Sequence, residues 1–347
     1  DKITELGVRA AAGLIKADGG HREEQSVFDA YIARLVKQAD FGTLSIVWDA
    51  GNGAAGPATE AMLAALSDKG RAQGTHKALY CDIDGHFPNH HPNPVDPETL
   101  ESLREQVATM SADCGIGFDG DGDRIGLVDS KGRQIAGDIL TAFLATDILT
   151  RNPGADIIFD VKSSALAMQI VRDAGGTPHL WKTGHSHMKQ KLRETQAPLA
   201  GEMSGHIFIA DGDYGFDDAL YVASRLVTQI AKRTAETGMS ITDFMDSLPE
   251  TFTTPECRID CPDKEKFGVM ARLSEAVSND HATDSVNVTD GVRVTTSKGW
   301  WLIRASNTEA ALVARAEGTD AVICDRFVSD IIRYLDDAGL KWAGPTS

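Results

Sequence analysis

The chain has 347 residues, enough for two or three domains of ordinary size. Acidic residues outnumber basic ones 51 to 34, for a net charge of −17. That balance excludes nucleic acid as a general partner and excludes a polybasic membrane anchor, since both need a net basic face.

An anionic ligand must therefore find a local cluster of Lys, Arg and His. No apolar run approaches the ~18 residues of a membrane span. The first residues, DKITELGVRA, lack the charged and apolar regions of a signal peptide and carry no initiator Met. Cys81, Cys114, Cys257, Cys261 and Cys324 show no zinc-like spacing and read as free thiols of a reducing compartment, which places the chain in the cytoplasm. The sequon at Asn287 is then a chance match.

In chain order, LSIVWD (44–49) reads as a buried strand entering the Gly-rich turn AGNGAAG, with a helix over PATEAMLAALSDK. KALYCDI (77–83) reads as a second strand. The four prolines of 84–98 make that stretch a loop, and the helix ETLESLREQVATM follows. CGIGF (114–118) is a third strand, GLVDS with its KGR turn a hairpin edge, GDILTAFLATDILT a helix and 151–156 a linker. DIIFDVKSS (156–164) then repeats the design of LSIVWDAGNG: a strand ending in Asp, then a turn into a helix. TPHLWK and HIFIA are later strands, and FDDALYVASRLVTQIAKRTAE a long helix. Beyond about residue 250, the strands ECRIDC, SVNVT, GVRVTTS and WWLIRAS join by Asp-Gly and Lys-Gly hairpin turns, between the helices KEKFGVMARLSEAV and CDRFVSDIIRYLDDA. The expected fold class is α/β: two related α/β domains (mixed sheets with helices on both faces) followed by a smaller α+β C-terminal domain. The expected boundaries are 1–40 for a helical linker, 41–150, 151–250 and 251–347.

Four loops carry chemistry. Asp119, Asp121 and Asp123 alternate with glycines after a buried strand, and three hard oxygens suit Mg²⁺. An EF-hand is excluded, because Arg124 stands where it needs Gly and Ser130 where it needs Glu. Arg124 is left free for a phosphate. KTGHSHMKQKLR (182–193) gathers Lys182, His185, His187, Lys189, Lys191 and Arg193, an anion site in so acidic a chain, although Lys191 and Arg193 also fit a solvated helix face. In GEMSGH (201–206), Glu202 and Ser204 alternate and suit vicinal sugar hydroxyls; Ser204 is one position late for a nucleophile elbow. Arg304, Ser306, Asn307 and Thr308 with turn N–H groups suit a phosphate cradle, and Arg315 lies across a hairpin from it.

Together these loops resemble the α-D-phosphohexomutase superfamily, most closely its bacterial phosphomannomutase/phosphoglucomutase branch. DAGNG (49–53), DGHFPNHHPNP (84–94), FDGDGDR (118–124), DVKSS (160–164), WKTGHSHMK (181–189), GEMSGH (201–206), GFDDALY (215–221), DGVRV (290–294) and RASNTE (304–309) carry the resemblance, which spans about residues 40–340. It implies four domains around a central cleft. It implies Mg²⁺ on Asp119, Asp121 and Asp123, sugar hydroxyls on Glu202 and Ser204, and substrate phosphate on Arg304, Ser306, Asn307 and Thr308 with Arg315. Lys182, Thr183, Gly184 and His206 would also touch substrate. Lys162 and His185 correspond to residues that assist proton transfer, and Arg124 would touch the transferring phosphoryl group. The implied activity interconverts hexose 6-phosphate and hexose 1-phosphate, of mannose and also glucose. A phosphoserine donates its phosphoryl group, and glucose 1,6-bisphosphate is the intermediate and activator.

The family's phosphoserine belongs to a first domain, in a loop reading roughly T-A-S-H-N-P, and no such stretch occurs here. Residues 1–40 resemble only the linker out of that domain. The expectation is a fragment whose 347 residues alone complete no mutase cycle. The rivals are a truncated paralogue that binds sugar phosphates without turnover and a phosphoglucosamine mutase; Glu-Met-Ser in the sugar loop favours the mannose/glucose branch over the latter. A Mg²⁺ phosphatase is weaker, since nothing here supplies its nucleophile. The expected partners are hexose phosphates, with no nucleic acid and no membrane; the oligomeric state stays open, a monomer being compatible.

Overall fold

The computed structural model describes residues 2–14, 21–281, 285–342 and 344. The expected linker (1–40) and last domain (251–347) both reach onto residues outside that set. Two helices, α1 (Lys2–Ala11) and α2 (Phe28–Leu35), precede the first sheet; α1 buries no residue, while α2 buries Ile32 and Leu35.

The first unit runs β1 (Ile46–Asp49), α3 (Gly56–Asp68), β2 (His76–Leu79), α4 (Glu101–Met110), β3 (Cys114–Phe118), β4 (Ile125–Asp129) and β5 (Gln134–Ile135). Its sheet order is β2-β1-β3-β4-β5, parallel through β3 and antiparallel beyond. The second unit follows α5 (Gly137–Arg151) with β6 (Asp156–Asp160), α6 (Ala165–Asp173), β7 (Thr177–Trp181), α7 (His185–Thr195), β8 (Leu199–Gly201) and β9 (Ile207–Ile209). Its order is β7-β6-β8-β9, again parallel through the third strand and antiparallel at the fourth. The repeat seen at Asp49 and Asp160 is thus a repeat of topology.

Alternation along each central strand sends successive side chains to opposite faces, so both sheets need two covers. In β1, Ile46 and Trp48 face one core while Val47 joins Leu103 and Val107 of α4 in another. In β6, Ile157 and Phe159 share the first of these cores, and Ile158 packs with Met188 and Leu192 of α7. One core therefore runs through both units. α5, apolar around most of its circumference, and α8 (Ala219–Thr237) lie within it, and α8 touches both β4 and β9.

After α9 (Ile241–Ser247), the last unit comprises β10 (Phe252–Thr253), β11 (Cys257–Asp260), α10 (Lys266–Asp280), β12 (Ser285–Asn287), β13 (Val292–Thr296), β14 (Gly299–Ala305), β15 (Ala311–Gly318) and α11 (Ala321–Asp337). Its antiparallel sheet is ordered β10-β15-β14-β13-β12, with β11 also on β15. It has its own core of Trp301, Ile303, Val277, Ile331 and their neighbours.

Three elements depart from expectation. β2 stops at Leu79 rather than Ile83, because Tyr80 takes φ 53° and turns the chain out of the sheet. Leu199–Gly201 is a strand, so the GEMSGH loop is the turn of a β8–β9 hairpin. β15, central to the last sheet, is the far arm of the hairpin expected to carry Arg315, although no strand bounds were expected there. Its sequence ALVARAEG, with three Ala beside single Leu, Arg and Glu residues, has good helix propensity, which pairing on both edges overrides. The cysteines are free, and among the described residues no helix is long and apolar enough to cross a membrane.

Candidate active site

In open α/β sheets, the loops leaving the carboxyl ends of parallel strands gather on one side. Here those loops are 49–53, 119–124, 160–164, 182–187 and 202–206, and the hairpin turn after β14 meets them from the last unit.

The 119–124 loop is the turn of the β3–β4 hairpin. Asp119 is buried, and its Oδ1 accepts the backbone N–H groups of Gly122, Asp123 and Arg124, each at 3.0 Å. Its Oδ2 accepts Arg124 Nε at 2.7 Å. Burial opposes ionisation, but these bonds hold the Asp119 carboxyl below the usual carboxylate range. One oxygen each of Asp119, Asp121 and Asp123 lie within 4.8 Å of one another. Burial pushes the Asp123 carboxyl up to about 6, with the charges of Asp119 and Asp121 adding to it and His206 opposing. Three hard oxygens crowded at this spacing fit a small divalent cation, which would relieve that repulsion. Asn93 from the proline-rich loop accepts Arg124 Nη1 at 3.3 Å.

A chain of contacts leads away from this loop. His206 Nε2 lies 3.3 Å from Asp123, and its Nδ1 lies 3.1 Å from Glu202 and 3.0 Å from the Ser204 hydroxyl. Burial lowers the His206 pKa, but the Glu202 bond and charge overcome it, so the imidazole sits above its ordinary value. Glu202, buried, accepts the backbone N–H of Gly184. Next to it, Asp290 Oδ2 accepts the Thr183 N–H at 3.1 Å and Arg304 Nε at 3.0 Å, while Asn307 donates to the Thr183 carbonyl at 3.2 Å. Arg304 is buried, and among the described residues its Nη2 has no hydrogen-bond partner. Ser306 Oγ accepts the N–H groups of Thr308 and Glu309, so the turn is shaped by its own first hydroxyl.

The remaining expected residues divide. His185 begins α7 at half exposure, stacked on His206 with centroids 6.0 Å apart and its Nδ1 3.3 Å from Asp217. Lys162 is 8% exposed and pairs with Glu256 at 3.0 Å. Arg315 donates to the Lys162 carbonyl at 3.1 Å, which puts it on the lysine's loop. Lys182 and His187 are exposed. Lys189 is bound to Asp217 and Lys191 lies over the Trp181 ring, so neither stands ready as a free cation. Four residues were given no role by the sequence: Asp217, Asp290, Asn93 and Glu256. The first three lie in quoted motifs, GFDDALY, DGVRV and DGHFPNHHPNP, and that was their signal. Glu256 had none.

Family models match three successive stretches: Phosphoglucomutase/phosphomannomutase alpha/beta/alpha domain II over residues 29–132, domain III over 136–252, and the C-terminal domain over 256–333. The chain belongs to the phosphoglucomutase/phosphomannomutase family. No model of domain I matches. The phosphomannomutase/phosphoglucomutase of Pseudomonas putida is 41% identical over 336 residues, spanning 96% of this chain and 69% of that protein. A phosphoglucomutase/phosphomannomutase family protein of Burkholderia thailandensis superimposes with a TM-score of 0.89 at 38% identity, covering 100% of this chain and 72% of that one. The N-acetylphosphoglucosamine mutase of Aspergillus fumigatus, solved with GlcNAc-6P and magnesium, shares the fold alone, with a TM-score of 0.64 at 16% identity over 93% of this chain and 67% of that one. The relatives are named as mutases, an isomerase class, and this α-D-phosphohexomutase chain is of that enzyme class.

Proposed function

We propose that this chain supplies the metal, sugar and distal-phosphate sites of a phosphohexomutase that interconverts hexose 6-phosphate and hexose 1-phosphate of mannose and glucose. The observation that carries this reading is the unbroken path Asp123–His206–Glu202–Gly184, continued from Thr183 through Asp290 to Arg304. It links a carboxylate trio at one end to a phosphate cradle at the other, with sugar-hydroxyl partners between. A ligand with a phosphate at each end, such as glucose 1,6-bisphosphate, matches that layout.

Asp119, Asp121 and Asp123 would hold Mg²⁺, which neutralises charge on a transferring phosphoryl group when bound. Arg124, anchored by Asp119 and Asn93, offers its guanidinium to the same group. Glu202 and Ser204 fix sugar hydroxyls, helped by Lys182, Thr183, Gly184 and His206. Arg304, Ser306, Asn307 and Thr308 hold the second phosphate, the unpartnered Nη2 of Arg304 being a donor in waiting. Lys162 and His185 hold or move protons at the reacting hydroxyls. Such catalysis is mostly positioning and charge neutralisation.

The phosphoserine that starts the cycle has no counterpart loop among these residues, so the 347 residues alone are expected to show no turnover. A coupled assay with mannose 1-phosphate and glucose 1-phosphate, on material of verified intact mass, tests this. Turnover by the 37.2 kDa species would overturn the expected need for a further domain. No binding of either sugar phosphate would overturn the mutase reading itself.

A further inference from the structure

The seam between the second and last units holds a carboxylate that the reading above leaves without work. Glu256 immediately precedes β11, half-buried, and its Oε2 lies 3.0 Å from Lys162 Nζ. The lysine has little freedom to leave. Arg293 Nη1 donates to the carbonyls of Val161 and Ser163 at 2.7 Å each, and Arg315 Nη1 to that of Lys162 at 3.1 Å. Glu317 Oε1 accepts the N–H of Ala165 at 3.0 Å. The last unit thus grips every residue from 161 to 163, and what Lys162 can change is its charge partner. Its other carboxylate neighbour, Asp160, lies 4.0 Å away.

Glu256 also sits within the field of the cradle. Although burial opposes its ionisation, the charges of Lys162, Arg304 and Arg258 hold its carboxyl below the usual range. Asp290, the other acid beside Arg304, is committed to the Thr183 N–H and to Arg304 Nε. Among the described residues, Glu256 has one ion-pair partner, the lysine. Lys162 and Arg304 are cations assigned above to the reaction and to substrate phosphate, and the Glu256 carboxylate offers the lysine the negative charge and acceptor oxygens that a phosphate would.

Resting on that reading of the cradle, we propose that Glu256 is an internal stand-in for substrate phosphate. It holds Lys162 in the unliganded protein and yields the lysine's charge when a sugar phosphate enters the cradle. Like charge between Glu256 and the phosphate weakens ground-state binding, and a mutase that must release and re-bind phosphates gains nothing from a tight ground state. Glu256 is therefore a positioning residue acting through Lys162.

The test is calorimetric titration of the 347-residue chain with inorganic phosphate and with mannose 1-phosphate. Glu256→Gln is expected to bind both about tenfold more tightly, the scale of removing one like charge from a half-buried site. Glu256→Asp, which keeps the charge, is expected to stay within about twofold of wild type. Loss of mere structural support would not raise affinity. Should near-UV circular dichroism show that the glutamine variant fails to fold, Glu256→Ala carries the same expectation. Unchanged or weaker binding by the neutral variant, alongside weaker binding by Arg304→Gln, overturns the role of Glu256 and leaves the cradle standing. Binding that Arg304→Gln leaves unchanged, or no binding by any variant, overturns the cradle reading and the inference together.

Discussion

At the scale of single residues, the site is a set of acids held in different protonation regimes. Asp119 is kept low by its backbone and arginine donors, while burial and its neighbours lift Asp123 to about 6. A cation competes with the proton on Asp123, so Mg²⁺ affinity is expected to be level above pH 7. Below pH 6 it is expected to fall, by about tenfold per unit once the carboxyl is protonated. Calorimetry across pH 5–8 checks this. Asp160 gives a stability prediction of definite sign. Burial lifts its carboxyl to about 6, with Lys162 opposing. The folded value stands above the ordinary ~3.9, so this acid favours the fold at low pH and loses that contribution as pH rises through about 6. Asp160→Asn stays neutral throughout and is expected to stabilise the protein at pH 8 by on the order of 1–2 kcal/mol, with far less effect at pH 4.5. Chemical denaturation at the two pH values measures the difference. The roles of these acids were unequally legible. The DGDGDR spacing points to a metal on its own, whereas Glu256 and Asp217 matter through partners 94 and 28 positions away, beyond any local pattern.

At the scale of elements, the site depends on hairpin turns that cross between units. Gly205, in the β8–β9 turn, has φ 92°, and its carbonyl accepts the Ile125 N–H at 3.1 Å, next to the Arg124–His206 bridge. A Cβ there would lie 2.5 Å from the Ile125 carbonyl oxygen. Gly205→Ala is expected to cost about 2 kcal/mol or more and to pull His206 away from Asp123. Urea unfolding measures the first effect, and a weakened Mg²⁺ affinity the second. The seam grip is the second cross-unit device. Arg293 is fully buried, stacked 3.7 Å over Trp300, and its two carbonyl acceptors belong to the buried residues Val161 and Ser163. Arg293→Met is expected to cost about 1–3 kcal/mol through those unpaired carbonyls. Strand β15 shows why elements were only partly readable: ALVARAEG is helix-prone by itself, and its two-sided pairing makes it a strand.

At the scale of the whole molecule, the two α/β units share one continuous core and the last unit has another. Thermal unfolding is therefore expected to deviate from two-state behaviour. Trp301→Ala is expected to lower the transition of the last unit by about 3–5 kcal/mol and to leave that of the α/β pair nearly in place. Differential scanning calorimetry resolves the two, and Arg293→Met is expected to move them further apart. The sequence by itself determined the periodic strands and helices, the repeated α/β design and the four polar loops. Each of these follows from residues within a few positions of one another, where apolar alternation, glycine turns and carboxylate spacing act directly. Only the tertiary structure decided that these loops join into one path from Asp123 to Arg304, and that the last unit's Glu256 pairs with Lys162 while Arg293 binds the carbonyls on either side of it. Those contacts link residues far apart in the chain, and their geometry exists once the sheets have packed and brought their strand ends together.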